Sequence, residues 1–268
     1  MKAEELIQAG RLDEALSSLQ EAVRNNPADA RLRVFLFQLF CVLGRWDRAL
    51  NQLQVLADLN AETMLLAQIF RPVINCEVLR GEIFDGKRTP IIFGEPMEWV
   101  GLLVQANELA AKAKFKAARE LRDQAFEAAP ATPGKLNDQP FEWLADADSR
   151  LGPILEVILE GKYYWVPFSR IRRIEIEKPT DLRDLVWTPA QFVWTNGGQV
   201  SGHVPTRYTK TETSTDGQLR LARKTEWAEH DGDYAIGLGQ RLLATDAGEH
   251  ALLECKTIEL THPTPDAA

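Results

Sequence analysis

The sequence predicts an α+β protein in which a tetratricopeptide-like helical repeat domain, residues 1–130, precedes a β-rich domain, residues 131–268, built as an antiparallel sheet or small barrel. Three observations predict it. Gly10, Leu12, Ala15, Leu19 and Ala22 recur 34 positions later as Gly44, Trp46, Ala49, Leu53 and Leu56, which is the tetratricopeptide period. After Pro130 the helical period stops and short alternating segments take over. Residue types shift at the same point, since five of the seven Trp and all four Tyr and four His follow it.

Each repeat residue has a mechanical reason. Glycine lets the chain leave the first helix of a pair, the bulky residue two positions on wedges the turn, and the small Ala lets two helices approach closely. Pro27 then ends the second helix, with Asn25 and Asn26 favouring the turn before it. Only nine residues precede Gly10, so the first repeat lacks most of its leading helix. Phe115, Ala118, Ala125 and Pro130 repeat the spacing of Leu12, Ala15, Ala22 and Pro27. Between these copies lies a long helix from Ala61 to Phe84, a break at DGKRTPIIFGEP and a helix from Met97 to Ala111. Pro72 is expected to kink or split the long helix.

The stretch Ala30–Leu56 is the most apolar of the array. Its first helix is hydrophobic on nearly every side, which marks a buried helix, and Arg33 and Arg45 bracket an uncharged run too short to span a bilayer. Stacked pairs present their first helices on a concave surface that receives a peptide or helix. In that register Arg31, Val34, Gln38, Cys41 and Val42 face the groove, with Phe35 and Leu39 as further apolar positions, while Leu36, Phe37 and Phe40 face the paired helix. Two readings stay open: an apolar groove for a partner's helix, or coverage by the chain's own neighbours.

Beyond the connector APATPGKLNDQP, strands are expected at Phe141–Ala145, Ile154–Leu159, Tyr163–Val166, Ile171–Glu177, Gln191–Thr195, Gln199–Val204, Thr225–Glu229, Ala235–Ala244 and His250–Ile258. Six residues cannot separate strand from helix at Ile154–Leu159. Asn196-Gly197-Gly198 and Asp246-Ala247-Gly248 signal tight turns. The polar segment Tyr208–Gln218 reads as a mobile loop, and the residues after Thr261 as a frayed tail.

Charge and cysteine usage narrow the function classes. The net charge of -8 divides as -2 before Pro130 and -6 after it, so neither half is a basic module, which argues against nucleic-acid and anionic-membrane partners. Cys41, Cys76 and Cys255 lack metal or redox spacing and read as buried free thiols of a reducing compartment. The N-terminus has acidic residues at 4 and 5 and no apolar core, so a cytoplasmic protein is expected.

Signals for catalysis are sparse. The four histidines lack ligand spacing, and neither a phosphate-cradling loop nor a nucleophile elbow occurs, so no metal and no cofactor is expected. Glu142, Asp146, Asp148 and Arg150 form the densest polar cluster. Carboxylates at i and i+2 have the chemistry for acid/base work in a small hydrolase or ligand-binding protein using the Trp-rich half, and equally for structural pairing with arginine. KYYWVPFSRIRRI sets three aromatics beside Arg170, Arg172 and Arg173, a pattern suited to stacking single-stranded nucleic acid or to a sheet core.

A family resemblance adds to this. AGRLDEAL, NPADARLRVFLFQLFCVLGRWDRALNQLQVL, QPFEWLADADSRLGPILEVILEGKYYWVPFSRI, LRDLVW and NGGQVSGHVPTRY together resemble the TagJ or ImpE (SciE-type) accessory proteins of bacterial type VI secretion systems. ADADSRLGP followed by YYWVPF is the specific part, because repeat physics does not demand it. The resemblance implies a cytoplasmic, non-enzymatic adaptor. Its implied partners are the N-terminal helix of the small contractile-sheath subunit (TssB/VipA-type) and a ClpV-type AAA+ ATPase that drives sheath turnover.

Overall fold

A computed structural model of the chain describes residues 2–262. The helices run α1 (Ala3–Gln8), α2 (Leu12–Asn25), α3 (Ala30–Val42), α4 (Trp46–Ala57) and α5 (Ala61–Phe84). After the short strand β1 (Ile91–Ile92) come α6 (Glu98–Ala111) and α7 (Phe115–Ala128). The second half carries β2 (Gly134–Leu136), β3 (Gln139–Phe141), β4 (Leu144–Asp146), β5 (Ile154–Leu159), β6 (Lys162–Pro167), β7 (Ile171–Ile176), β8 (Trp187–Trp194) and β9 (Gln199–Pro205). It ends with α8 (Gly217–Arg220), β10 (Thr225–Glu229), β11 (Ala235–Gly239), β12 (Leu242–Thr245), β13 (Gly248–Ala251) and β14 (Thr257–Leu260).

The repeat register is visible in the backbone. Gly10 and Gly44 sit at φ +76° and +66°, and the residue after each closes the helix back on its last turn, Arg11 N donating to Leu6 O and Arg45 N to Phe40 O at 2.8 and 2.9 Å. This is the Schellman ending, which needs a left-handed residue. In the later copy that place is held by Ala113, at φ 56°, with Lys114 N on Leu109 O at 2.9 Å. An alanine in a glycine position is why that copy is faint in the sequence.

Helix α5 runs unbroken through Pro72, so the chain is not split there. Pro72 lacks the N–H that would bond the Gln68 carbonyl, and Gln68 is an exposed residue, where solvent can compensate that loss. The helix starts cleanly, with the Asn60 side chain accepting from Thr63 N at 2.9 Å.

The sheet is open, not a barrel. Its nine strands run in the order β1-β6-β5-β9-β8-β7-β14-β2-β3. All pairs are antiparallel except β1 with β6, where Ile91 and Ile92 of the helical half lie parallel to Tyr164 and Trp165. A three-stranded sheet β13-β12-β4 and a hairpin β10-β11 complete it.

Both faces of the central sheet are covered. Ile154, Ile158, Tyr163, Trp165 and Trp187 join the helices in one core that crosses residue 130. Leu155, Val157, Leu159, Ile174 and Phe192 form a second core on the other face. Every residue of β5 is therefore buried, as expected of a strand covered on both sides, which settles Ile154–Leu159 as strand.

The segment Tyr208–Gln218 is packed rather than mobile. Tyr208, Thr209 and Thr211 are buried, and Thr211 Oγ1 accepts from Gly239 N at 2.8 Å while donating to Tyr208 O at 2.7 Å. Its polarity is spent on these bonds, so composition misread it. Thr261 N donates to Pro133 O at 2.8 Å, and His262, the first residue of the expected tail, is held instead, its Nε2 bonding Ile171 O at 2.6 Å; the rest of that tail, from residue 263, lies outside the described residues.

Candidate partner-binding site

Helix α3 has no outward face of its own, so its neighbours decide what remains available. Asp29 caps it, accepting from Arg31 N and Leu32 N at 2.8 and 3.2 Å. Leu36, Phe37, Leu39, Phe40, Cys41 and Val42 are all buried. Helices α2 and α4 cover two sides, and the 3-10 turn Leu182–Leu185 of the second half covers a third. Gln38 is the fastener there: Nε2 donates to Asp181 Oδ1 and Oε1 accepts from Leu182 N, both at 2.9 Å.

The groove-facing set read from the repeat register is thereby divided. Leu39, Cys41 and Val42 are internal, with no exposed surface; burial pushes the Cys41 thiol far above its ordinary range. Gln38 is engaged by the 3-10 turn. Arg31, Val34 and Phe35 stay at the surface, lining a concavity of about 450 Å³ with Asn60, Glu62 and Asp181. The correction has one cause: a segment some 140 residues downstream occupies the C-terminal half of the expected groove.

A second concavity of about 590 Å³ continues along α5, lined by Ile69, Phe70, Pro72, Ile158, Pro189 and His203 among others. Glu62, Leu65, Ile69 and Pro72 follow each other at three- and four-residue steps, so they share one face of α5. Glu62 lines one concavity and Ile69 and Pro72 the other, and the 3-10 turn with its cap faces α5 across both, giving Asp181 to the first and Arg183 to the second. The result is a trough about 15 Å long between Glu62 and Pro72, at 1.5 Å per residue. On that face Leu65 and Ile69 are apolar and 57% and 45% exposed. The sequence signal for it was present, as the apolar residues of α5 exceed what one buried face requires, but periodicity did not single them out.

In the trough floor, Arg183 lies over the Phe70 ring, 4.7 Å from its centroid, and His203 meets the same ring edge-on at 5.6 Å. Burial lowers the His203 pKa, with Asp184 opposing and Arg183 reinforcing that shift. The floor therefore sets the buried Phe70 ring between a guanidinium and an imidazole whose charged form burial disfavours.

Further along α5, past Pro72, a buried ionic network ties the helix to the sheet. Arg80 holds Glu156 with two bonds, Nε at 2.6 Å and Nη2 at 2.9 Å, and reaches Glu77 at 2.9 Å. Trp187 Nε1 donates to the other Glu77 oxygen at 2.8 Å. Arg241 bridges Glu156 and Asp146. Burial alone would raise the Glu156 pKa, but Arg80 and Arg241 bring it down to about 2.

The carboxylate cluster proposed for acid/base work is absorbed here. Asp146 pairs with Arg241, and Asp148 takes Arg150 in two bonds of 2.8 and 2.6 Å, while Glu142 is exposed and apart. An exposed Trp143 and Phe126 flank a cleft of about 490 Å³ at this place, with no histidine in its lining. In the aromatic–arginine run, Tyr163 and Trp165 are buried, and Arg173 pairs with Glu175 and Glu259, so the run forms sheet core and no stacking platform.

Among the described residues no helix is long and apolar enough to cross a membrane. Residues 138–259 match the ImpE protein family, and residues 6–69 match the tetratricopeptide repeat. The chain is 51% identical over 259 residues to the type VI secretion system accessory component TagJ of Pseudomonas aeruginosa, covering 97% of this chain and 91% of that protein. A crystal structure of a Vibrio parahaemolyticus protein superposes with a TM-score of 0.89 at 27% identity, covering 97% of this chain and 98% of the other.

Proposed function

Because the chain belongs to the ImpE/TagJ family of type VI secretion accessory components, we propose that it is a non-enzymatic adaptor of the bacterial cytoplasm that binds the N-terminal helix of the small contractile-sheath subunit. The apolar trough along α5 is the docking place, with Arg31, Val34 and Phe35 at one end. Through that contact the protein links the sheath to turnover by a ClpV-type ATPase.

The observation that carries this reading is the unpartnered apolar face of α5. Leu65 and Ile69, one turn apart on that face, leave apolar side chains in water, the kind of surface that a partner's apolar stripe can cover. A trough of three helical turns bounded by two banks suits an amphipathic helix read at i, i+3, i+4 and i+7. The carboxylates nearest to a catalytic arrangement are held by arginines, which fits an adaptor better than an enzyme.

Titrating a synthetic N-terminal peptide of the small sheath subunit into the full chain tests it. Saturable binding at micromolar concentration, competed by the intact sheath subunit, is the expected result. Absence of both heat and chemical-shift change at that concentration overturns it. Retention of the ATPase on immobilised protein only when the sheath subunit is present would establish the link to turnover; equal retention without it would remove that link.

A further inference from the structure

The trough is acidic as well as apolar, and unevenly so. Glu160 and Glu177 line its Pro72 end, and Glu62 lines the other; all three are exposed. Among the described residues none of the three has an ion-pair partner. Asp181 and Asp184 add two carboxylates from the 3-10 turn. Against these five stand Arg31, which shares its end with Glu62, and Arg183, which pairs with Asp181 at 2.6 Å and lies 3.8 Å from Asp184, so the uncompensated charge rests on Glu160 and Glu177. Lys178 follows Glu177 but lies outside the lining. Burial disfavours the charged form of His203.

Position matters here. Glu160 adjoins Gly161, whose backbone abuts the Pro72 ring, so its carboxylate stands where the exposed apolar face of α5 ends. Unpaired carboxylates beside a low-dielectric wall raise the local negative potential, and they make an acidic ligand unfavourable as well as a basic one favourable. Resting on the helix-in-groove reading above, we infer that the trough selects one chemistry of partner: an amphipathic helix of another chain whose apolar stripe is flanked by Lys or Arg. The apolar face supplies affinity, and Glu160 and Glu177 supply register and discrimination.

Two designed peptides of about eighteen residues, sharing one Leu stripe and differing only in Lys or Glu at the flanking positions, test this on the full chain. At low salt the Lys peptide is expected to bind about tenfold more tightly than the Glu peptide. In the Glu160→Lys/Glu177→Lys variant that preference disappears or reverses, and in 0.5 M NaCl it shrinks. Both carboxylates are exposed, so the variant is expected to fold, and an unchanged melting temperature checks this. Equal affinity of the two peptides, absence of binding by both, or a preference untouched by the double variant overturns the inference. So does self-association through the trough, seen as a dimer in sedimentation that Ile69→Glu dissolves. The two readings fail separately. A sheath peptide that binds wild type and the double variant alike overturns the charge selection alone, whereas a Lys-peptide preference without sheath-peptide binding overturns the adaptor reading alone.

Discussion

Gly44 and Glu212 occupy the same space by halves: a Cβ on Gly44 would lie 2.4 Å from Glu212 Cγ and 2.6 Å from its Cβ. The glycine of the repeat turn is thus also the seat of a loop from the second half. Gly10, one period earlier, receives Gln218 in the same way, at 2.7 Å. The repeat glycines serve two ends at once: the left-handed turn demanded by each helix pair, and the close approach of residues 208–218.

Gly44→Ala is therefore expected to destabilise by about 2 kcal/mol, combining left-handed strain with displacement of Glu212. Ala113→Gly, at the matching turn of the later copy, is expected to stabilise by up to about 1 kcal/mol by removing the same strain. Urea denaturation of both variants checks the pair. Shifts of the midpoint in the same direction would show that the left-handed turn is not what sets the cost.

Glu156 stands between two arginines with no exposed surface. Glu156→Gln leaves Arg80 and Arg241 each short of a charge, and removing one partner of a buried pair costs about 3–5 kcal/mol. The network joins α5 to β5, so denaturation of this variant followed by far-UV and near-UV signals is expected to show the tertiary signal lost first. A midpoint within 0.5 kcal/mol of wild type would mean that water replaces the lost charge.

The same residue governs acid stability. Its pKa of about 2 lies below the ordinary value of 4.5, so the folded form releases the proton more readily than the unfolded one. The resulting stability, on the order of 3 kcal/mol, is complete above the unfolded pKa and is lost as the pH falls from 4.5 towards 2. Asp146 acts with opposite sign: burial, opposed by Arg241, pushes it up to about 6, so its contribution declines as pH rises from 4 to 6. Stability measured across pH 2–7 is expected to show an acid limb that Glu156→Gln flattens; a limb of unchanged slope in that variant assigns it to other carboxylates.

Ile69→Glu places a charge on the exposed apolar face of α5 and is expected to abolish sheath-peptide binding while leaving the melting temperature within a few degrees. Phe35→Glu, at the half-buried end of the trough, is expected to weaken binding at least tenfold. Leu39→Glu is the contrast, since an unpaired charge in that fully buried site is expected to unfold the protein. Isothermal titration beside circular dichroism separates the three, and full binding by Ile69→Glu would place the docking surface elsewhere.

Local chemistry was enough to read the helical array from the residues. The 34-residue recurrence of Gly10 at Gly44 fixed the pairs, and α5 begins and ends at the residues its pattern marked, because caps, left-handed turns and apolar periods act within a few positions of where they are written. Short alternating runs likewise marked most strands. The resemblance of ADADSRLGP and YYWVPF to one accessory family is also legible in the residues alone.

Tertiary structure alone decided which surface of that array is free. A helix apolar on nearly every side, as α3 is, encodes burial with little direction, so nothing local says that Leu39, Cys41 and Val42 go inside while Val34 and Phe35 stay at the edge. That choice is made by Gln38 and Asp181, bonded across 143 positions. Arg80 and Glu156, 76 positions apart, and the packed loop at Tyr208 follow the same rule. A polar residue reads as solvated in sequence, and becomes structural only when folding brings a partner of opposite character within hydrogen-bonding distance and excludes water from both.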